Sequence, residues 1–305
     1  MEVSLNVRPL QKPEYGWEVG LQWARNRGYA LTLNGPQYIF FGNGVAQVGQ
    51  EIGVHRSLGF IRCGISDTSL VAGLAAACAG APQGALYIAA NGFPLGDPKA
   101  RIISNPNPRW TGSVRTALRY RKLQLSGLLD IRHGGVVANG SKGALWSYGT
   151  HKDTEHRAIC TSAGCVADPN DPLSVRTFGT GGWYDGPVAG PGARLAVPIG
   201  QNWYNGNLAP CAFTNYDEAC LDDDGYVKLR EVSVTYTLDA PWVQSSLGLG
   251  SIDIRVSGRN LHTWSKWPGF DPETSGGGSA DAIQGSEYFG NPQSRSFVFT
   301  ITLNR

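Results

Sequence analysis

Apolar and polar residues alternate one by one in several parts of the chain, and a period of two predicts β-strands with two different faces. The alternation is clearest near the C-terminus, where the apolar positions are Phe297, Phe299, Ile301 and Leu303. Other alternating segments lie at residues 3–7, 17–24, 113–121, 123–132, 231–238 and 252–259. The pattern therefore predicts an all-β protein built from antiparallel strands.

The predicted strands run for about 9–11 residues, which is long enough to cross a lipid bilayer when a strand is tilted. Alternation alone also fits a soluble β-sandwich, whose polar face meets water. Strand length and the aromatic residues that flank the apolar runs favour a transmembrane barrel, in which such residues form girdles at the membrane interfaces. These aromatic residues are Trp17, Trp23, Trp110, Tyr120, Tyr226, Tyr236, Trp242, Trp264 and Trp267.

The connections between the predicted strands are of two kinds. Residues 10–14 and 121–122 are tight turns, whereas residues 61–109, 133–225 and 265–294 are long excursions rich in Gly, Pro, Asn and aromatic residues. Outer-membrane barrels likewise alternate short turns on one side of the membrane with long loops on the other. We therefore predict that residues 133–225 form a long extracellular loop region.

Composition narrows the possible functions. Charged residues make up only 16% of the chain and the net charge is +2, so there is no basic stripe and no electrostatic footprint for nucleic acid. No apolar run is long enough for a transmembrane helix, and the first residues do not form a signal peptide. Without a leader of its own, the chain is expected to be cut from a longer secreted protein.

Six cysteines fall as three local pairs in the long excursions, and none lies in an alternating segment. They are Cys63, Cys78, Cys160, Cys165, Cys211 and Cys220. Pairing between neighbours would close three separate loops and place the chain in an oxidising compartment, but spacing alone leaves the connectivity open. The alternative of free thiols does not explain why the strands carry no cysteine, and no spacing typical of zinc ligands is present.

Four sequence blocks resemble those of SusC/RagA-type TonB-linked outer-membrane proteins. Residues 105–113 (NPNPRWTGS) lead through two strands to residues 128–135 (LLDIRHGG). Residues 225–238 (GYVKLREVSVTYTL) and 257–273 (SGRNLHTWSKWPGFDPE) follow in the family's order, and the segment from Arg295 resembles its closing strand. The resemblance covers roughly the whole chain.

The resemblance implies a fold and a function. The fold would be the C-terminal part of a transmembrane β-barrel, residues 1–305, without the N-terminal plug domain of the family. The function would be import of oligosaccharides or peptides across the outer membrane of a Gram-negative bacterium, without a cofactor. The implied partners are a SusD-like surface lipoprotein over the loops, TonB acting through the missing N-terminal region, and outer-membrane lipid.

Aromatic residues in the long excursions are candidates for substrate contact. Trp183, Tyr184, Trp203 and Tyr204 lie in Gly- and Asn-rich sequence, where exposed aromatic rings often mark a binding surface. The alternative is that these rings pack the loops' own small core. We predict ligand contact for all four residues and leave both readings open.

Catalytic and metal-binding patterns are not evident. His133, His151 and His156 have no metalloprotease spacing, and Asp222–Asp224 lacks the ligand pattern of a calcium loop. Loop-surface roles fit these residues better, and we predict neither a metal site nor an enzyme. The competing class of protein is a secreted β-sandwich that binds carbohydrate; it would need compact loops and a buried core between two sheets.

Overall fold

Seven long strands form one antiparallel sheet, the largest element of the computed structural model. The structure describes residues 1–41, 44–180, 184–200, 203–204, 216–274 and 285–305. In their order across the sheet, the strands are β1 (Glu2–Gln11), β2 (Tyr15–Ala24), β8 (Trp110–Tyr120), β9 (Leu123–His133), β17 (Tyr226–Leu238), β18 (Ser251–Ser265) and β20 (Ser296–Asn304). The seven alternating segments of the sequence correspond to these seven strands, so the prediction of antiparallel β-structure is confirmed.

Every neighbouring pair in this sheet is antiparallel, so the chain runs up and down across it. Short connections at residues 12–14 and 121–122, and the helix α3 (Pro241–Leu247), lie at one end. All three long excursions leave from the other end. Among the described residues β1 and β20 are the sheet's two edges, so these strands form an open sheet.

One face of the sheet is apolar and uncovered. The register places apolar residues of neighbouring strands side by side, as in the row Leu118, Leu125, Val234, Val256 and Phe299. Leu125 is 44% exposed, Val256 50% and Phe299 64%. Fully burying such a side chain typically contributes about 1.5–3 kcal/mol, so a whole face left open to water would be very costly. Nothing in the described part of the chain packs over it.

Aromatic rings lie at both ends of the apolar face. At the short-turn end the rings of Tyr15 and Tyr120 lie 5.2 Å apart, and Tyr236 lies in the same row. At the excursion end Trp110 stacks on His133 with 5.1 Å between ring centroids, and Trp264 is half exposed. The predicted flanking of the apolar runs by aromatic residues is therefore present in the folded sheet.

In the structure the three excursions span residues 25–109, 134–225 and 266–295, and their described residues fold into a separate part that we call the head. Its largest sheet contains β3 (Tyr38–Phe41), β4 (Gly44–Gln47), β5 (Val54–Phe60) and β7 (Gly96–Ser104). Its short strands are β6 (Leu86–Tyr87), β10 (Val136–Asn139), β11 (Ile159–Thr161), β12 (Gly164–Val166), β13 (Val175–Arg176), β14 (Val188–Ala189), β15 (Val197–Pro198), β16 (Leu221–Asp223) and β19 (Ser286–Glu287). Its helices are α1 (Leu74–Ala77) and α2 (Gly140–Tyr148).

Pairings between excursions make the head one folded body. β6 of the first excursion pairs with β14 of the second, and β10 of the second pairs with β19 of the third. Residues 133–225, predicted as a long loop region, contain the helix α2 and seven short strands in their described ranges. Each strand is only two to four residues long, too short to show a period of two in the sequence.

The main hydrophobic core lies in the head. It combines Phe60, Leu86 and Ile88 of the first excursion with aromatic and aliphatic residues of the second, all of them buried. The second excursion contributes Trp146, Phe178, Val197, Ile199, Trp203, Tyr204, Ala219 and Cys220. None of the helices in the described ranges has both the length and the apolarity needed to cross a membrane.

Candidate functional site

The second face of the seven-stranded sheet is polar, and its register is continuous from edge to edge. One row across the sheet contains Asn6, Gly20, Arg115, Leu128, Glu231, Arg259 and Ser296. Successive side chains of a strand point to opposite faces, so strands in phase collect their polar residues on one side. This wall of polar and charged residues is the candidate functional surface.

Most charged side chains on this wall have a partner. Arg8 pairs with Glu18 at 3.0 Å, and Glu231 lies between the guanidinium groups of Arg255 and Arg259. Half-exposed pairs of this kind contribute little to stability. These pairs therefore hold the charged groups in place on the wall and do little to stabilise the fold.

A β-bulge in β17 brings three charged residues of one short segment to the wall. In the pairing with β9, Leu229 lies opposite Leu129 and Glu231 opposite Leu128, which leaves Arg230 as an additional residue. A bulge of this kind interrupts strict alternation and redirects a side chain. Lys228, Arg230 and Glu231 consequently all act on the polar side of the sheet.

Lys228 and Arg230 form the centre of a set of ion pairs that we call the rim cluster, together with Asp130, Asp271 and Glu273. The Nζ of Lys228 lies 2.6 Å from a carboxylate oxygen of Asp271 and 2.6 Å from one of Glu273. Arg230 donates to Asp130 and to Glu273, each at 2.7 Å. The side chain of Lys228 is only 4% exposed, so its charge depends on these two carboxylates.

The rim cluster attaches the third excursion to the sheet. The carboxylate of Asp271 also accepts hydrogen bonds from the backbone N–H groups of Glu273 and Gln293, which holds both flanks of the excursion. Burial raises the pKa of Glu273, but the hydrogen bonds from Arg230 and Lys228 outweigh it and hold that pKa below its usual value. The carboxylate therefore stays ionised where the cluster needs its charge.

A second ion pair joins the sheet to the second excursion. Arg132 at the end of β9 donates to Asp224 at 2.8 Å and to the carbonyl oxygen of Pro106 at 2.6 Å. Burial raises the pKa of Asp224 to about 6, and the charge of Arg132 only partly offsets this. Gly135 lies against the pair with φ +113°, and a Cβ there would lie 2.1 Å from the Oδ1 of Asp224. The Gly-Gly of the 128–135 block is therefore a packing requirement.

Glu218 connects the first and second excursions inside the head. Its carboxylate accepts from Arg62 at 2.5 Å and from Arg101 at 3.0 Å, and also from the backbone N–H of Phe60 at 2.7 Å. Two guanidinium groups compensate one buried carboxylate, which is the condition under which a buried charge is tolerated. This contact is part of the scaffold and exposes no reactive group.

The four aromatic residues predicted to contact ligand lie in different surroundings. Trp203 and Tyr204 belong to the head core and are 4% and 6% exposed, and the Tyr204 hydroxyl donates to the carbonyl oxygen of Asp153 at 2.5 Å. Burial raises the pKa of Tyr204 to about 12, so its hydroxyl remains a donor at physiological pH. Tyr184 is partly buried, with the guanidinium carbon of Arg62 5.0 Å from its ring centroid. Trp183 lies outside the described residues.

Two of the three suggested cysteine pairs are present as disulfides. Cys63 is bonded to Cys78 beside α1, and Cys160 to Cys165 across the hairpin of β11 and β12. Cys220 is disulfide-bonded as well, and Cys211 lies outside the described residues. The disulfides therefore strengthen the head and leave the large sheet without covalent cross-links.

The histidines and the aspartate run have structural surroundings. Burial lowers the pKa of His151, whose ring accepts from the backbone N–H of Asp153. His156 pairs with Asp171 at 3.1 Å, and Asp222 with Lys142 at 3.1 Å. Within the described ranges, no three His, Cys, Asp or Glu side chains are arranged to hold a metal ion.

Sequence reasoning missed the rim cluster, although its residues lie inside three of the quoted segments, with Asp130 in LLDIRHGG. Lys228 and Arg230 belong to the segment YVKLR, and Asp271 and Glu273 to DPE. The sequence offered one signal for this cluster, which is that YVKLR is basic and DPE acidic. Only the fold shows that they meet.

Comparison with known proteins points in one direction. No family model matches the chain. The chain is 21% identical over 319 aligned residues to the protein named TonB-dependent receptor P3 of Formosa agariphila, covering 99% of this chain and 28% of that receptor. The chain thus spans little more than a quarter of this relative's length.

Solved structures of the RagAB peptide transporter share the fold. One matches 99% of this chain and 28% of its own with a TM-score of 0.61 at 15% identity. A structure of the RagAB importer in its open-open state matches with a TM-score of 0.57 at 14% identity. Together with the receptor, these structures confirm the resemblance to SusC/RagA-type TonB-linked proteins that the sequence blocks indicate.

The first prediction concerns the contact between Gly135 and Asp224. We expect Gly135→Ala to lower the free energy of unfolding more than Gly35→Ala does. Gly35 has a similar φ of +104° but no neighbour within 4 Å, so it reports backbone strain alone, about 1–3 kcal/mol. Chemical denaturation of the two variants measures the difference. Equal losses would mean that the packing against Asp224 is irrelevant.

The second prediction concerns the buried lysine of the rim cluster. Lys228→Met should lower the free energy of unfolding by about 3–5 kcal/mol, because Asp271 and Glu273 would be left with too little positive charge. Lys122→Met is the control, since Lys122 pairs with Asp239 at an exposed turn and its loss should have little effect. Comparable losses in the two variants would contradict a special role for the cluster.

The third prediction follows from the raised pKa of Asp224. The folded state favours the protonated form of Asp224. The contribution of this group to the stability of the fold is therefore complete below its usual pKa of 3.8 and is lost as the pH rises through about 6. The side chain of the Asp224→Asn variant cannot ionise. The free energy of unfolding of this variant, relative to that of wild type, should therefore rise by up to about 3 kcal/mol between pH 4 and pH 7. Denaturation at a series of pH values tests this. The exposed neighbour variant Asp223→Asn serves as control, and the same pH trend in both variants would refute the assignment.

Proposed function

We propose that the chain is the C-terminal part of a TonB-dependent outer-membrane transporter of SusC/RagA type. Its seven long strands would supply part of the wall of a transmembrane β-barrel. The observation that carries this proposal is the apolar face that the described residues leave uncovered, with polar residues in register on the opposite face. Such a sheet suits hydrocarbon on one side and a water-filled interior on the other.

The dimensions of the sheet fit a membrane wall. Its strands contain 9 to 15 residues, and about 9–11 residues of tilted strand cross the hydrocarbon of a bilayer. The aromatic residues at both ends would lie at the two membrane interfaces. A closed barrel would also pair the open edges of β1 and β20, which are otherwise liable to pair with other molecules.

A barrel wall of this kind also implies roles for the head and for the partner proteins. The head would lie outside the cell, with residues 133–225 as its largest loop region, and its disulfides suit that oxidising location. A SusD-like lipoprotein would cover the head, as the name RagAB of the similar transporter suggests two components. TonB would supply energy through a plug domain that the resemblance places before the first residue of this chain.

Transport by such a protein is a binding process and requires no catalytic group. The polar wall would line the lumen, where the imported oligosaccharide or peptide meets fixed charges and hydrogen-bonding groups. A secreted β-sandwich that binds carbohydrate is the competing function. A sandwich buries its apolar faces between two sheets, and no second sheet covers this face in the described ranges.

The fourth prediction tests the membrane wall with adjacent residues of β8. Val114 lies on the apolar face between Leu21 and Leu129, whereas Ser113 lies on the polar face opposite Asp130. Val114→Arg should destabilise the folded protein in lipid vesicles by about 2–4 kcal/mol, the cost of arginine near the centre of a bilayer. Ser113→Arg should have little effect, because its new side chain lies on the polar face and extends into water.

The experiment uses the protein as its gene encodes it. Folded protein in the outer-membrane fraction is measured in cells, and unfolding is measured in vesicles. If Val114→Arg assembles as well as Ser113→Arg, the apolar face does not meet lipid. If both variants are secreted as soluble folded protein, the sandwich function takes its place.

A further inference from the structure

The polar wall carries one arginine without a partner. Among the described residues, no hydrogen bond or ion pair joins Arg115 to another group, whereas Arg8, Arg255 and Arg259 each pair with a glutamate. Arg119, farther along the same strand, donates only to the backbone carbonyl groups of residues 12 and 13, at 3.3 and 3.4 Å. An arginine without a counter-charge at the centre of a strand is unlike its neighbours.

The neighbours across the sheet leave the Arg115 side chain accessible. Its partners in the register are Gly20 on β2 and Leu128 on β9, and neither side chain accepts a hydrogen bond. Gly20 has no side chain to cover the guanidinium group. Arg115 is therefore free to meet a group from outside the sheet.

Two cavities on the polar wall meet at Arg115. One has a volume of about 220 Å³ and is lined by Arg115, Ser126, Leu128, Glu231 and Arg255. The other, about 540 Å³, extends from Arg115 towards Arg8, Glu18 and Gln124. Both lie on the face that the proposed function assigns to the lumen.

The charge around the smaller cavity is unbalanced. Glu231 is the single carboxylate there, and it is shared between Arg255 and Arg259. The side chains that line this cavity carry two guanidinium groups, of Arg115 and Arg255, and one carboxylate, which leaves a net positive charge. Guanidinium groups bind carboxylates through paired hydrogen bonds, and within a confined lumen such a charge attracts anions more strongly than it would in open water.

We propose that Arg115, together with Arg255, forms a subsite in the lumen for the carboxylate groups of the imported oligomer. The inference rests on the proposed transport function and specifies its substrate class as acidic. Acidic oligosaccharides and acidic peptides both carry the carboxylate groups that this subsite would bind. The test distinguishes these two sources.

The test measures binding of fluorescent oligomers to the purified protein as its gene encodes it, in detergent. The acidic probes are hexagalacturonate and hexaglutamate, and the neutral probes are methyl-esterified hexagalacturonate and hexaglutamine. We expect wild type to bind one acidic probe at least about tenfold more tightly than its neutral counterpart, with an affinity that falls as salt is added. The acidic probe that binds identifies the substrate as a glycan or a peptide.

Substitutions should change this affinity in opposite directions. Arg115→Gln should weaken binding of the acidic probe by about tenfold, the effect of losing one charge-assisted contact. Glu231→Gln should strengthen it, because Arg255 and Arg259 lose their competing carboxylate. Arg121→Gln is the control: Arg121 pairs with Glu14 at the turn outside the wall, and its loss should leave binding unchanged.

Three results would overturn the subsite. They are equal binding of acidic and neutral probes, no binding of either acidic probe, and an unchanged affinity in Arg115→Gln. The last would mean that another segment of the protein neutralises Arg115. Failure of the transport function is separate, because it would appear as failure of wild type to assemble in the outer membrane.

Discussion

The constraint on which the structure depends is that every strand of the large sheet must satisfy two different environments. Residues of one parity are apolar and remain exposed, as Leu125 and Phe299 do, while residues of the other parity carry charge. Water on both faces would remove the hydrophobic gain that holds other proteins together. In the proposed barrel, lipid on one side would meet this constraint, and the main hydrophobic core of the described residues lies elsewhere, in the head.

Joining a two-faced sheet to a compact head requires contacts at the ends of the strands, and two ion-pair sites provide them. The bulge at Arg230 releases β17 from strict alternation just where the rim cluster receives Asp271 and Glu273. Arg132 and Asp224 form the second junction, against Gly135. The quoted sequence blocks thus mark the places where strands are connected to excursions, which explains why they contain charged residues and glycines rather than apolar runs.

The sequence predicts the large sheet well and the head poorly, for a physical reason. Alternation is a local property, so all seven strands follow from neighbouring residues alone. The head core joins Phe60 to Trp146 and Trp203, which lie far apart in the sequence, and many of the strands of the head contain only two to four residues. Nothing local distinguishes Trp203 in this core from an exposed aromatic ring in a loop. The same limit applies to Lys228 and Asp271, whose contact depends on the path of a whole excursion.

Because the aromatic residues of the head are buried, recognition of a substrate by these rings would cost more free energy than recognition by the polar wall. Trp203 and Tyr204 touch a ligand only if the head core opens, and removing a large aromatic side chain from a core costs about 3–5 kcal/mol. The polar wall needs no such rearrangement, because Arg115 and the cavities beside it are already accessible. Contact by the predicted aromatic residues stays a prediction, whereas the charges of the wall are available in the folded state. Selection of substrates by charge therefore requires less reorganisation than selection by stacking on these rings.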